Sequence, residues 1–376
     1  MIQYFRTPPN RRRHTLAMWI LGAAALLLFL LFFAALGGIR SMRDSIPGTD
    51  AAERWRAQDS PYPYAQLAVY TDSSAAFDLD SVQLRRMDIT KKLEENAFSS
   101  PEGASPFIDA YSGETTISLR TDRAMITADA TVCGGNFFFF HPLELSHGGY
   151  FDEDDLTSHS VIIDEYAAWQ LFGAIEVAGM DISIGGQPFR ISGVCKKPTG
   201  TLEAMTWGDT PRIFINYIGL RMTNGFDRAT SYEIVMPNPI DNFANTVIAQ
   251  QFSIGERSTN AVLYDFTTRF SFEVLAKQAP SFFLRAIREN RVLPPFWENN
   301  AAVTETKAIV LAFFGAIAGI TALVCTVSAV SLWFFIHPIR MTDIYHWFND
   351  KYEARRMKKW LKKQASPLNA PEKTRT

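Results

Sequence analysis

Two stretches of the sequence contain no Asp, Glu, Lys or Arg: residues 15–39, TLAMWILGAAALLLFLLFFAALGGI, and residues 308–336, AIVLAFFGAIAGITALVCTVSAVSLWFFI. A helix that crosses a bilayer needs about 20 apolar residues at 1.5 Å rise each, so both are long enough. The first exceeds the ~7–15-residue apolar core of a secretory signal peptide. A retained anchor is therefore expected, although Ala34-Ala35-Leu36-Gly37 offers a weak cleavage-like sequence. The second is longer than a span requires and is expected to tilt or to project as a stalk, with Trp333 at the interface and Pro338 ending it. Whatever lies between the two segments must then fold on one side of a membrane.

Charge sets the expected sidedness. Arg6, Arg11, Arg12 and Arg13 precede the first segment, and Lys351, Arg355, Arg356, Lys358, Lys359, Lys362 and Lys363 follow the second. The positive-inside tendency places both termini in the cytoplasm of a two-pass plasma-membrane protein; Arg40 and Arg43 weaken the bias slightly. The expected plan is a cytoplasmic N-terminus (1–14), a transmembrane helix (15–39), an extracytoplasmic domain (40–306), a second transmembrane helix (307–337) and a basic amphipathic tail (338–376). In bulk, 37 Lys and Arg face 39 Asp and Glu, a net charge of −2, which argues against nucleic acid as a partner. Three cysteines provide neither a disulfide framework nor zinc spacing. Cys133 and Cys195 remain open as a pair if their compartment is oxidising.

The central region alternates between strand and helix patterns. Residues 66–71 read as a strand. Residues 79–98 read as an amphipathic helix with Leu84, Met87, Leu93 and Phe98 as its apolar positions. Residues 107–132 read as two or three antiparallel strands, joined near Gly113 and Asp122. Residues 196–209 read as a loop, 212–216 as a strand leading into a helix at Tyr217, and 232–236 as a strand. Residues 240–251 read as a helix with Phe243, Val247 and Ile248 on one face, 262–272 as a last strand, and 282–292 as a helix broken by Pro294-Pro295.

The most informative stretch runs from Cys133 to Cys195. After Gly134-Gly135-Asn136 comes the aromatic run Phe137–Phe140, then an acidic run from Asp152 to Asp155. Val161-Ile162-Ile163 reads as a buried strand. Asp164 follows as a helix N-cap, with Ala167, Ala168, Leu171 and Phe172 at helical spacing and Gly173 as the stop. Two alternating segments around Met180–Ile184 and Pro188–Ser192 flank Gly185-Gly186, a hairpin signal because the tight turn needs positive φ.

This linked series resembles the MacB-like periplasmic core domain of MacB/FtsX-type ABC transporter permeases. The residues that carry the resemblance are Phe137, Phe138, Leu145, Gly149, Phe151 and Asp155, then Ile163, Asp164, Glu165, Ala168, Leu171, Phe172 and Gly173. They continue with Gly179, Ile182, Ile184, Gly186, Phe189, Ile191, Gly193 and Val194. The segment YEIVMPNPI, with Phe243 beyond it, also looks like relatives of this family. The resemblance implies an α+β extracytoplasmic domain of the MacB periplasmic-core type flanked by two transmembrane α-helices. It further implies a permease-like subunit that transmits motion while a separate cytoplasmic ABC ATPase hydrolyses ATP. The sequence departs from the family in its spans: the usual permease has one before the core domain and three after it, and here there is one and one. A further permease subunit supplying the remainder, or an accessory role, would account for the difference.

Chemistry within the chain is sparse. Asp152, Glu153, Asp154 and Asp155 with His141, His147 and His159 lack both calcium-loop and zinc spacing and read as a solvated loop. Asp164-Glu165 reads as capping rather than an acid/base pair. No Gly-Lys-Ser/Thr phosphate loop and no G-x-S-x-G elbow occurs. The expectation is no catalytic residue, no cofactor and no metal. In the tail, Ile344, Tyr345, Phe348 and Tyr352 share one helical face with Met341 and are the expected docking residues for the ATPase. Lys358, Lys359, Trp360, Leu361, Lys362 and Lys363 are the expected contacts for anionic lipid. Because Met357, Trp360 and Leu361 fall on the opposite face, the tail is expected to kink or to split into two short helices, with residues from Ser366 disordered. The competing reading is a free-standing, membrane-anchored binding or sensory module without an ATPase partner. A membrane-tethered hydrolase has no nucleophile or metal pattern to support it.

Overall fold

The computed structural model describes residues 11–56, 62–96, 98, 105–152, 158–255, 260–281, 295–337 and 341–364. Side chains of 11, 201–203, 281, 341–347 and 362–364 also lie outside the description, as do the expected helix at 282–292, most of the acidic run and everything from Ser366. The chain divides into two compact units, one from Ala35 to Phe314 and one formed by the two terminal segments, up to Ala34 and from Gly315.

The larger unit is a sheet with helices packed on both faces. After helix α1 (Arg11–Asp44) and the short α2 (Ala51–Trp55) come β1 (Tyr64–Thr71), α3 (Leu79–Glu95), β2 (Ile108–Arg120), β3 (Met125–Gly135), α4 (Phe137–Phe140) and β4 (Leu145–Gly148). Next are β5 (Ser160–Asp164), α5 (Glu165–Phe172), β6 (Asp181–Ile184), β7 (Gln187–Cys195), α6 (Thr201–Trp207), β8 (Arg212–Asn216) and α7 (Tyr217–Asn224). The chain then forms β9 (Ser231–Pro237), α8 (Phe243–Gln251), β10 (Ala261–Asp265), α9 (Phe272–Gln278), α10 (Phe296–Ile336) and α11 (Met341–Gln364). The strands pair in the order β10-β1-β9-β2-β3-β8-β5-β7-β4, with β6 against β2 and β7. Antiparallel pairs predominate, but β3–β8 and β5–β7 are parallel, so the class is α+β, as the sequence implied.

Alternation along the strands assigns the two faces. Leu67 and Val69 of β1, with Tyr232, Ile234 and Met236 of β9, join one core together with Val82, Ile89 and Leu93 of α3, Ala167, Ala168 and Leu171 of α5, Leu220 of α7 and Val247 and Ile248 of α8. The intervening residues face the other way. Ala68 and Tyr70 form a cluster with Phe266, Phe270 and Ala301, and Val235, Phe214 and Ile162 form one with Phe137, Phe140 and Trp207. Two strand-to-helix junctions are capped alike. Asp164 accepts a hydrogen bond from Ala167 N (2.7 Å) and Asn216 accepts one from Gly219 N (3.1 Å), each meeting an otherwise unpaired helix N–H.

Several expectations are corrected. In α3 the buried residues are Val82, Ile89 and Leu93, while Leu84 and Met87 are exposed. At about 100° per residue the latter two fall on the opposite side from Leu93, so the expected stripe mixed two faces. Gly113 makes no turn: it lies mid-strand in β2, paired with Val132. A glycine is required there because an added Cβ would sit 2.3 Å from the Arg228 carbonyl oxygen. The expected loop at 196–209 contains α6, and the expected strand at 262–272 ends at Asp265. Cys133 and Cys195 are both free and buried. They stand on β3 and β7 with β8 and β5 between them, roughly 14 Å of lateral spacing at about 4.8 Å per strand, twice what a disulfide can bridge at about 7 Å between Cα atoms. The expected break in the tail is absent: α11 is one helix from Met341 to Gln364. It holds no Gly or Pro, and Glu, Ala, Arg, Lys, Met and Leu dominate its second half, so propensity carries it through regardless of where its apolar residues fall.

Within the terminal unit α1 and α10 meet at small residues. A Cβ on Gly319 would lie 3.1 Å from the Phe32 ring, and Ala25 and Ala322 are buried. Both helices are long and apolar enough to cross a membrane.

Gly113→Ala tests the close approach of β2 to the Arg228 carbonyl. The variant should lose about 1–3 kcal/mol of stability, read as an earlier midpoint in denaturant unfolding of the full chain in mild detergent.

Candidate functional site

The face of the sheet free of α3, α5, α7 and α8 receives the first turns of α10, and three different parts of the chain hold three consecutive residues there. Phe296 lies under the Arg212 guanidinium, 4.3 Å from its ring, and edge-on to Trp207 at 5.3 Å. Trp297 packs on His141 with ring centroids 4.4 Å apart and on Phe137 at 5.6 Å. Glu298 receives both terminal nitrogens of Arg269, at 2.6 and 2.8 Å. Two helical turns on, Glu305 accepts from Arg269 Nε at 2.8 Å. The seven-residue spacing puts both carboxylates on one side of α10, in line with the buried Ala301, Ala308 and Ala312.

Local sequence accounts for each arm. Arg269 sits in the turn after β10. There the Asp265 side chain accepts hydrogen bonds from Thr267 N and Thr268 N, the usual way an Asp closes a turn on its own backbone, and Thr267 Oγ1 accepts from Gln66 N of β1. His141 follows the single turn α4, whose Phe137 and Phe140 are buried. Glu233 is the odd residue of β9, so alternation turns it from the α-helical side toward α10. Glu233 meets His141 Nε2 at 2.5 Å and accepts from Tyr70 Oη at 3.1 Å.

Arg269, Glu298 and Glu305 are each no more than 3% exposed. Burial works against the Arg269 charge, but Glu298 and Glu305 outweigh it and raise its pKa above the usual arginine value, so it stays a cation at any working pH. Burial, with the charges of Glu233 and Glu298, pushes Tyr70 well above its ordinary range, which keeps the phenol a donor to Glu233. The arrangement holds and orients; none of its members is an activated nucleophile. The two buried thiols are likewise unreactive, since burial raises both. Beside the foot of α10 lies a cavity of about 270 Å³ whose lining includes His141, Trp207, Phe214, Phe296, Trp297 and Asn300.

The residues expected to act from the sequence lie elsewhere, on α11. Phe348 and Tyr352 are exposed there, as are Lys358, Lys359, Trp360 and Leu361. Ile344, Tyr345, Lys362 and Lys363 belong to the same helix, with side chains outside the description. The α10 foot is not among the expected sites, because residues 297–306 are mostly polar or small and carry no recognisable motif. The available signal was Glu298 and Glu305 seven apart, immediately before an uncharged span.

The fold is a mixed α/β domain seated on the foot of a helix long and apolar enough to cross a membrane. The model of the family described as MacB-like periplasmic core domain matches residues 15–263, and the chain belongs to that family. The macrolide export ATP-binding/permease protein MacB of Agrobacterium fabrum (strain C58 / ATCC 33970) is 36% identical over 117 residues, 30% of this chain and 18% of that protein. The chain therefore spans less than a fifth of that relative's length. Among solved structures, the extracellular domain of the noncanonic ABC-type transporter YknZ from Gram-positive bacteria aligns with 54% of this chain and 99% of its own, at 14% identity and TM-score 0.37. The periplasmic region of MacB from Actinobacillus actinomycetemcomitans aligns with 54% of this chain and 89% of its own, at 14% identity and TM-score 0.38.

Arg269→Met should destabilise the domain by about 3–5 kcal/mol, because it strands two buried carboxylates, while replacing Arg269, Glu298 and Glu305 together with Met should recover most of the loss. Thermal unfolding followed by near-UV circular dichroism in mild detergent reads both.

Proposed function

We propose that the chain is an ABC transporter permease-like membrane subunit that is not itself catalytic and that passes motion between the membrane and its outer domain through α10. It is held in the plasma membrane by α1 and α10, with residues 40–306 outside, 15–39 and 307–337 spanning, and 1–14 and 338–376 in the cytoplasm. The observation that carries this reading is the grip on the α10 foot. Arg212, His141 and Arg269 hold Phe296, Trp297 and Glu298, and from there the helix runs unbroken to Ile336, about 60 Å at 1.5 Å per residue. A helix seated at one end by buried ion pairs and continuous through an apolar span moves with whatever it is seated on. Family membership supports the transporter context. The A. fabrum relative is named as both ATP-binding protein and permease; here a separate cytoplasmic ABC ATPase would supply hydrolysis and a further permease subunit the remaining spans. The ATPase docks on the stripe formed by Ile344, Tyr345, Phe348 and Tyr352.

Affinity purification of the full chain from mild detergent should recover an ATPase, and Phe348→Ala with Tyr352→Ala should reduce its yield severalfold. Undiminished recovery after deletion of residues 341–363 would remove the docking assignment, and recovery of no ATPase by the wild type would favour the free-standing binding module. A thiol introduced by Ser118→Cys should react with a membrane-impermeant maleimide in intact cells, and one introduced by Lys359→Cys only after lysis. The reverse pattern would invert the topology.

A further inference from the structure

The continuity of α11 gives its two apolar stripes a fixed relation that two separate helices would not have. At about 100° per residue, Met357, Trp360 and Leu361 cluster on a stripe centred roughly 180° from Phe348. On the same scale Lys351, Arg355, Arg356, Lys358 and Lys359 all fall within about 80° of Phe348, Tyr352 lies among them, and Glu353 marks the N-terminal limit of the opposite stripe. The second half of the helix therefore has one basic face and one apolar face. Trp360 and Leu361 are 54% and 53% exposed, so their apolar surface is uncovered.

We infer that the C-terminal half of α11 lies flat on an anionic lipid surface, with Met357, Trp360 and Leu361 entering the headgroup region and the Phe348–Tyr352 stripe turned to the aqueous side. Three observations commit the occupant to lipid. The uncharged run of α10 ends at Ile336 and α11 begins at Met341, so the intervening residues reach at most about 18 Å when extended. A bilayer at the end of that span is within reach of α11 by connectivity alone. The division of Lys and Arg on one face from Trp, Leu and Met on the other is the pattern of helices that lie in a membrane interface. The basic residues also complement an anionic leaflet. Arg356 and Lys358 sit at the flanks, where long side chains reach headgroups, and the rest of the basic face is separated from the leaflet by a helix about 10–12 Å across, comparable to the ~10 Å screening length at 0.1 M salt.

Lying flat is distinguishable from standing upright. Trp360 is nineteen residues beyond Met341, about 28 Å along the axis, so an upright helix carries it into water. The inference shares α11 with the docking reading but needs no ATPase, and the test uses the chain alone. Cys133 and Cys195 are buried and Cys325→Ser removes the half-exposed thiol. A nitroxide is placed in turn at Leu361→Cys and at Lys359→Cys in the full chain, in nanodiscs of phosphatidylcholine with or without phosphatidylglycerol. With phosphatidylglycerol present, the ratio of oxygen to water-soluble nickel accessibility should be severalfold higher at 361 than at 359. Substituting Arg355, Arg356, Lys358 and Lys359 by Gln, with the 361 label retained, should abolish the gain from the anionic lipid. Equal ratios at 361 and 359, the same ratio at 361 in both lipids, or shielding of 361 from both reagents would each overturn the proposal, the last by showing that protein covers the stripe. Loss of the lipid signal leaves ATPase recovery untouched, and failure of ATPase recovery leaves the nitroxide depths untouched.

Discussion

The guanidinium of Arg269, shared by Glu298 and Glu305, determines how the larger unit is put together. Taking three charges out of water is expensive, and a buried ion pair often stabilises no better than well-packed apolar residues of the same volume. Its value here is positional. Only one rotation and one height of α10 bring both carboxylates onto the same guanidinium. A slip of one residue turns the face by about 100° and shifts it 1.5 Å, leaving two buried carboxylates unpaired. The stripe of Ala301, Ala308 and Ala312 would tolerate such a slip far better. The ion pairs fix register, and the alanines allow close approach once it is fixed.

The neighbouring contacts make sense on that basis. Aromatic surface is abundant around Phe296 and Trp297, but rings slide over one another at little cost, and stacking energies of about 0.5–1.5 kcal/mol per pair do not specify a position. Placing Arg212 over Phe296, and His141 between Trp297 and Glu233, adds direction to that surface. The supports come from β8, α4, β9 and the turn after β10, spread across most of the sheet's width. The foot of α10 is thus seated on the sheet as a whole and not on one loop. On the opposite face α3, α5, α7 and α8 rest on the same strands, so the sheet is stiffened from behind.

Much of this architecture was legible in the residues. Asp164 before Ala167 and Ala168 marked a strand passing into a capped helix, because an Asp oxygen at that position has a helix N–H to accept from. Gly185-Gly186 marked the β6–β7 turn, since both adopt positive φ. The faces of α3 were less legible. Leu84, Met87 and Leu93 are all apolar, and only their place in the folded core shows that Val82, Ile89 and Leu93 are the buried set. Gly113 was misplaced for a related reason. A glycine needed for close backbone approach and one needed for a turn look identical in sequence, and the Arg228 carbonyl that demands it is more than a hundred residues away.

The α10 foot escaped for a deeper reason. Reading apolar as inside and polar as outside is sound for isolated residues, because charged groups are almost never fully buried unless they are paired. It inverts where the pairing partner arrives from a distant part of the chain. Residues 297–306 carry Glu298, Asn299, Asn300, Thr304, Glu305 and Thr306, a composition suited to a solvated linker. They nevertheless form the most enclosed part of the helix, since Glu305 is fully buried while Phe313 and Phe314, a few residues on, are exposed. A long apolar helix entered through charged residues at seven-residue spacing therefore has two readings, and they differ in consequence. If those charges face water, the helix is a tether and its outer domain swings freely. If they face an arginine supplied by the domain, as Glu298 and Glu305 do, the start of the helix is fixed on the sheet at one rotation and one height.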